Sequence, residues 1–271
     1  MTEKILPLPS RTGPVRNVMP NDKIKEIISE RQIMIPSAKH LTIAAIFATS
    51  LTSVPATAQD LTLQGIITTQ TQFRALSDDL GAALSYKAQT PAEPLGITGF
   101  DVGIAATSTK LGNASQAALE NKSSLIIPTV RAHKGLPLGF DIGAAYAAAD
   151  GIRYVGGELR YALLDGGTLT PAIGLRGSMT RLTGVDELDF DTKGVDLSIS
   201  KGFAFITPYA GIGRVWVSST PKPGLALATE DFSLDKYYVG VGLNVLLMNL
   251  NLEADKTGEA TSYSAKLGIR F

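Results

Sequence analysis

The chain has 271 residues, with 25 basic and 25 acidic side chains, 27 glycines and no cysteine. Its hydrophobic fraction of 44% and charged fraction of 18% exclude a disordered chain or a coiled coil, and its net charge of zero gives no electrostatic footprint for nucleic acid. The lack of cysteine excludes disulfides, thiolate chemistry and cysteine-based metal sites. The mean hydropathy is +0.14, yet the body of the chain contains no uncharged apolar run of 18 residues. The apolar residues must therefore be distributed along the chain in a regular spacing.

The first 33 residues form a polar, proline-bearing stretch without a strong helical face. We interpret residues 1–33 as a gene-model extension, with translation starting at Met34, because a secretory signal begins close to its positive residues. The alternative is a disordered tail.

Residues 34–58 are predicted to be a secretory signal peptide. Lys39 and His40 form a short positive region, and an apolar run of about ten residues follows them. This run is too short to cross a bilayer core of about 30 Å. Ala56 and Ala58 occupy the two positions that a signal peptidase reads. We therefore expect export through the general secretory route and cleavage after Ala58.

From about Ile97 to the C-terminus, apolar residues alternate with small or charged residues, which indicates β-strands with one apolar face. Strands of about 10 to 13 residues are longer than the usual 5 or 6 of soluble sheets and match the 9 to 11 that a tilted strand needs to cross a bilayer. The ten predicted strands are 97–108, 124–134, 138–149, 152–164, 168–180, 188–201, 204–218, 232–245, 247–256 and 261–271.

The predicted fold class is all-β: a transmembrane antiparallel up-and-down β-barrel of about ten strands over residues 97–271. Short turns alternate with longer loops, as in outer-membrane barrels, and closure satisfies every strand edge in lipid. A soluble sandwich or lipocalin-like barrel is the alternative, and parity alone does not exclude it. Strand length, the secretion signal and the terminal segment favour the membrane barrel.

The terminal segment YSAKLGIRF resembles the assembly signal of Gram-negative outer-membrane β-barrels, which end in an aromatic residue preceded by alternating apolar residues. Tyr263, Leu267, Ile269 and Phe271 carry the resemblance. It implies a location in the cell outer membrane. The implied partners are the outer-membrane lipid bilayer, periplasmic chaperones and the barrel-assembly machinery.

Charged residues within the predicted strands stand opposite the apolar stripe, so they are predicted to face the lumen. A ten-stranded lumen is only slightly wider than the eight-stranded ones that side chains fill. These charges therefore either pair in a packed polar core or line a narrow passage for a small solute. They are Asp101, Asp141, Glu158, Arg160, Arg176, Asp196, Arg214, Glu253 and Lys266.

Residues 59–96 do not follow the same period. Phe73, Leu76, Leu80 and Leu84 recur at three- and four-residue steps, which predicts an amphipathic helix. The alternative is two further strands, over residues 61–69 and 80–86, which would give twelve. The helix is expected to be either a periplasmic or interfacial element, or a plug within the lumen, and a proline-rich linker follows it.

The segment SDDLGAALSYKAQTPAEPLGITGFDVGIAAT resembles the passage from hatch to first strand in the long-chain fatty-acid transporter family. Thr90-Pro91-Ala92 stands where that family has an Asn-Pro-Ala turn. The resemblance implies an N-terminal hatch and transport of small hydrophobic compounds.

The sequence offers little for catalysis. His133 is the one histidine after Ala58, and no serine or carboxylate stands at a motif spacing from it. It is predicted to be an ordinary polar residue of the lumen or rim, and no cofactor or metal site is predicted. The leading functional hypothesis is an outer-membrane barrel that is not an enzyme, with a structural or narrow-channel, porin-like role. The alternative is the hatch-bearing transporter, and a lipid-modifying enzyme comes third.

Overall fold

The computed structural model describes residues 63, 65–119, 121–149, 152–224 and 226–271. Residues 1–33 and the predicted signal peptide 34–58, with its cleavage site at Ala56 and Ala58, lie outside the described residues. Within the described part, ten strands close into one antiparallel barrel in which neighbours in sequence pair and β1 pairs with β10. The strands are β1 Phe100–Lys110, β2 Ser124–Gly135, β3 Phe140–Ala149, β4 Ile152–Asp165, β5 Ala172–Thr183, β6 Leu188–Ser200, β7 Ile206–Pro221, β8 Glu230–Val245, β9 Met248–Thr257 and β10 Ala260–Arg270.

The predicted ten-stranded up-and-down barrel is confirmed, with strand ends displaced by a few residues. The largest displacement is at β5, which was expected from residue 168 and begins at Ala172. A turn occupies the difference, closed by the Gly167 N–H donating to the Thr170 carbonyl at 3.0 Å. Pro171 follows that turn and lacks the N–H that a ladder position needs. No helix in the described ranges has both the length and the apolar character needed to span a bilayer.

The barrel has two distinct ends. The connections 136–139, 166–171, 201–205 and 246–247 lie at one end, which we call the short-turn end. The loops 111–123 and 222–229 lie at the other, the long-loop end, and the first of them carries the short helix α2 (Asn113–Ala118). The barrel closes at the short-turn end, where Phe100 and Phe271 exchange backbone hydrogen bonds of 2.7 and 3.0 Å. The start of β1 and the C-terminal residue therefore share one end of the barrel.

Residues 70–84 form a helix, α1 (Gln70–Leu84), so the twelve-strand alternative is wrong. A capping box starts the helix: the Gln72 N–H donates to Thr69 Oγ1 at 3.3 Å, and Gln72 Oε1 accepts from the Thr69 N–H at 3.2 Å. The helix ends at Ser85, whose hydroxyl donates to the Ala82 carbonyl at 2.9 Å. The predicted apolar face is buried along its whole length.

We call residues 63 and 65–99 the arm, and the arm lies inside the barrel. Of the two placements that the sequence left open, the structure has the one within the lumen. Two layers of interior result. Near the long-loop end, the apolar face of α1 packs on apolar wall residues, among them Phe190, Val215 and Val217. Near the short-turn end, the extended part of the arm lies among polar and charged wall residues.

Candidate functional site: the filled lumen and the outer wall

Eight of the nine predicted lumen charges are buried inside the barrel. They are Asp101, Asp141, Glu158, Arg160, Arg176, Asp196, Glu253 and Lys266. Strand alternation explains this, because successive side chains point to opposite faces of the wall.

The placement of Arg214 was predicted wrongly. Its side chain is 54% exposed on the outer face, where Nη2 lies 2.7 Å from Oδ1 of Asp235 on β8. Its neighbours Val215 and Val217 point inward and pack in the cluster that contains α1. At the level of α1 the interior of the barrel is apolar, because the apolar face of the helix fills it. Arg214 and Asp235 lie on the outer face of the wall at this level.

One group of buried charges centres on Glu158 of β4. Its Oε2 lies 2.9 Å from Arg176 Nε, and its Oε1 lies 3.0 Å from His133 Nε2. Neither contact has hydrogen-bond geometry. The contact with Arg176 is an ion pair by distance, and the contact with His133 is one only when the imidazole is protonated. Arg160, 3.7 Å from Glu158, donates at 2.7 Å to Asp141. The cluster ties β2, β3, β4 and β5 together across the interior.

Further ion pairs continue around the wall. Lys236 Nζ donates to Asp196 Oδ2 at 3.3 Å, and Asp196 also lies 3.6 Å from Arg176. Lys266 donates to Asp101 at 2.6 Å, which joins β10 to β1 at the closure of the barrel. Buried charges need such partners, because an unpaired charge in a low-dielectric interior is costly.

The arm supplies partners that the wall lacks. Lys87 Nζ donates to both oxygens of Asp255, at 2.5 and 2.8 Å, and to the hydroxyl of Ser262 at 3.1 Å. The Gln89 N–H donates to Glu253 Oε2 at 2.7 Å. The guanidinium of Arg131 donates to the Lys87 carbonyl at 2.8 Å and to Gln89 Oε1 at 2.6 Å. The arm is therefore part of the polar core.

The interior is balanced in charge. Among the described residues, the buried lysine and arginine side chains number six, and so do the buried aspartate and glutamate side chains. Four of the twelve are not among the nine predicted lumen charges, although strand alternation places three of them, Arg131, Lys236 and Asp255, opposite the apolar stripe. These four are Lys87, Arg131, Lys236 and Asp255. Lys87 stands outside the strands, so strand parity had no bearing on it.

At the long-loop end, polar contacts hold α1 in the mouth of the barrel. Ser77 donates to Ser219 of β7 at 2.8 Å. Arg74 pairs with Asp78 at 3.1 Å and with Glu230 of β8 at 3.3 Å. Partial burial raises the pKa of Asp78, and the neighbouring Arg74 opposes that shift. The mouth is thus closed by a helix that bonds to the rim as well as to the core.

The outer wall carries a collar of charged residues that face outward on consecutive strands. The collar consists of Arg153, Arg181, Lys193, Arg214 and Asp235, on β4 to β8. Between the collar and the short-turn end of the barrel, the outward-facing large side chains of these strands are apolar. They are Val155, Leu159, Tyr161, Leu163, Ile173, Leu175, Met179, Val195, Leu197, Ile199, Ile206, Ile212, Tyr237, Val239, Val241, Leu243 and Val245. We call this surface the apolar belt.

The predicted assembly signal lies on the same surface. Tyr263 and Leu267 are exposed on the outer face of β10, and Phe271 is exposed beyond its end. The Phe271 ring lies 5.9 Å from that of Phe100. Ile269 shares the parity of these residues, is half-buried, and pairs with Val102 of β1.

No group of three or more histidine, aspartate or glutamate side chains within the described ranges could hold a metal ion. His133 is buried, with Nε2 3.0 Å from Oε1 of Glu158.

Comparisons with known proteins find likeness in structure and none in sequence. No protein-family profile matches the chain, and no curated protein matches it. The β-barrel domain of OprF from Pseudomonas aeruginosa is 13% identical, with 65% of this chain and 99% of that one covered and a TM-score of 0.34. The outer membrane protein Ail of Yersinia pestis is 10% identical, with 63% of this chain and 99% of that one covered and a TM-score of 0.32.

The porin KdgM, solved in complex with disordered oligogalacturonate, is 8% identical, with 63% of this chain and 99% of that one covered and a TM-score of 0.34. These structures are outer-membrane β-barrels, the class whose assembly signal the terminal strand resembles. At such identities and TM-scores the likeness carries no argument about function. The resemblance of residues 77–107 to fatty-acid transporters is not tested by them and stays a prediction.

Proposed function

We propose that the protein is an outer-membrane β-barrel with a structural role, and that its own arm seals the lumen. The apolar belt is the observation that supports this proposal. On β8 it runs from Tyr237 to Val245, which corresponds to roughly 20 Å of height for a strand tilted by ~40°. A bilayer needs an apolar band of about 25 Å. A soluble barrel of the same shape would expose this surface to water.

The filled lumen supports a closed barrel over an open porin. The arm is buried from Leu76 to Ala92 apart from the partly buried Asp78 and Asp79, and Lys87 pairs with Asp255 of the wall. Given this location and the terminal signal, we propose that the protein is exported through the general secretory route. Its partners in assembly are then periplasmic chaperones and the barrel-assembly machinery. We propose a structural role for His133, because it is buried against Glu158 and a general base needs access to a substrate.

The first experiment tests the location. Cells expressing the full chain are fractionated, and the outer-membrane fraction is run on a gel with and without heating. We expect the protein in that fraction, with a migration that changes on heating because the folded barrel resists detergent. Recovery of the protein in the soluble periplasm would contradict the proposal.

A second candidate function is a gated passage for small hydrophobic compounds, with the arm as its hatch. The observation that favours it is that only non-covalent contacts hold the arm in the lumen. The arm therefore needs no bond broken in order to move.

A disulfide between arm and wall separates the two functions. The hydroxyl oxygens of Ser77 and Ser219 are 2.8 Å apart, and the chain has no other cysteine to interfere, so S77C/S219C is a suitable pair. Single-channel conductance is recorded in planar bilayers before and after reduction, with S77C alone as the matched control. A sealed barrel gives the same low conductance in both states. A hatch gives conductance that appears on reduction and is absent from the oxidised form.

A further inference from the structure

The arm has a defined direction in the barrel, beginning at the long-loop end. The Leu63 N–H donates to Oε2 of Glu187, in the connection between β5 and β6, at 2.5 Å. Gln70 exchanges hydrogen bonds with the backbone of Ala228, in the loop between β7 and β8, at 2.9 and 3.1 Å. Asp79 accepts from the Gly112 N–H at 2.7 Å, where α2 begins. The N-terminal end of the arm thus meets three connections of the long-loop end.

The same arm leaves the barrel at the short-turn end. The Ala92 N–H donates at 3.1 Å to Ser200, the last residue of β6. The Leu95 N–H donates at 3.0 Å to Asp141, near the start of β3. Lys134, at the end of β2, donates to the Ile97 carbonyl at 2.5 Å. The chain then turns into β1, so the arm traverses the lumen once from end to end.

The chemistry of the arm and the wall fits only this direction. The apolar face of α1, with Phe73 and Leu76, matches the apolar wall near the long-loop end. Closer to the short-turn end, Lys87 donates to Asp255 and the Gln89 N–H donates to Glu253. A reversed arm would bury apolar residues among wall charges and place an ammonium against valines, and burial of an unpaired charge is strongly unfavourable.

We infer that the arm crosses the outer membrane inside the barrel, so that its N-terminal end, from Leu63 to Thr71, lies at the cell surface. This rests on the proposed function, in which the short-turn end with Phe271 faces the periplasm. The two ends of the arm then stand on opposite sides of the membrane. The protein would present the start of its arm to the exterior together with the loops 111–123 and 222–229.

The experiment uses single cysteines and a 5 kDa maleimide that does not cross the outer membrane. Thr71 is exposed on the first turn of α1, and T71C reports on the arm. Glu259 lies in the connection between β9 and β10 at the long-loop end, where its side chain is 99% exposed, so E259C reports on that end. L169C reports on the short-turn end, where the residue is 92% exposed. Heat-dependent migration shows that each variant is folded, and I66C is a second arm position if T71C fails to fold.

We expect T71C and E259C to be labelled at least tenfold more than L169C on intact cells, and all three to be labelled equally after permeabilisation. If E259C is labelled and T71C behaves like L169C, the inference is overturned while the proposed function stands. If only L169C is labelled on intact cells, the orientation is the reverse and the inference is again overturned. If all three behave alike on intact cells, the membrane barrel itself is refuted.

Discussion

Lys87 is the residue that joins the arm to the charged wall. Its ammonium has Asp255, Ser262 and the Ala82 carbonyl as partners, all buried. We expect Lys87→Met to lower the free energy of unfolding by about 3–5 kcal/mol, because the substitution leaves the Asp255 carboxylate buried without a cation. Urea unfolding in lipid vesicles, followed by tryptophan fluorescence of Trp216, measures the effect.

Two controls accompany this prediction. Arg214→Met breaks an ion pair on the exposed outer face and should cost no more than about 1 kcal/mol, since exposed pairs contribute little. Lys87→Met combined with Asp255→Leu removes both charges and should recover most of the loss. A double variant as unstable as the single one would show that Lys87 acts by packing rather than by charge.

Strands β7 and β8 fit together through two glycine–tyrosine pairs. Gly211 lies opposite Tyr238, and Tyr209 lies opposite Gly240. The two rings meet edge to face with centroids 6.4 Å apart, and the Tyr209 hydroxyl donates to Glu253 at 3.0 Å. The missing side chains leave space for the aromatic rings inside a narrow barrel.

We expect Gly211→Ala to destabilise the barrel by about 1–3 kcal/mol, as overpacking does. A Cβ at Gly211 would lie 2.3 Å from Cζ of Tyr238, whereas one at Gly177 meets nothing within 4 Å. Gly177→Ala is therefore the matched control and should be neutral or slightly stabilising. The temperature at which gel migration changes reports both variants, and equal temperatures would contradict the packing argument.

For the whole molecule, the apolar belt distinguishes a membrane barrel from a soluble one. Leu252 is exposed on the outer face of β9 and pairs with Val241 of the belt. Ser233 is exposed on β8, on the long-loop side of the collar. In a bilayer, Leu252→Arg should cost about 2–4 kcal/mol if the residue is near the midplane, while Ser233→Arg should cost about 0–1. Urea unfolding in lipid vesicles measures both. Similar costs for the two variants would contradict the assignment of the belt to lipid.

The strands and most of their inward charges follow from the amino-acid pattern alone. A period of two is a local property, because each side chain points opposite to its neighbour wherever the chain is extended. Asp101, Glu158 and Lys266 were therefore placed correctly from parity, although their partners were not identified. The helical spacing of Phe73, Leu76, Leu80 and Leu84 likewise predicted α1.

What fills the lumen depends on contacts between parts of the chain that are far apart in sequence, and so does the apolar character of the interior near the long-loop end. The position of α1 depends on contacts with wall residues more than a hundred positions away, such as Ser219, and sequence spacing does not encode these. With α1 in the lumen near the long-loop end, the interior there is apolar, with Val215 inside and Arg214 on the outer face. On β7 the inward positions are odd-numbered from Tyr209 to Val217, so Arg214 has the outward parity of its neighbours Ile212 and Trp216. The local pattern determines which side chains face inward, whereas the long-range contacts with the arm make the interior at this level apolar.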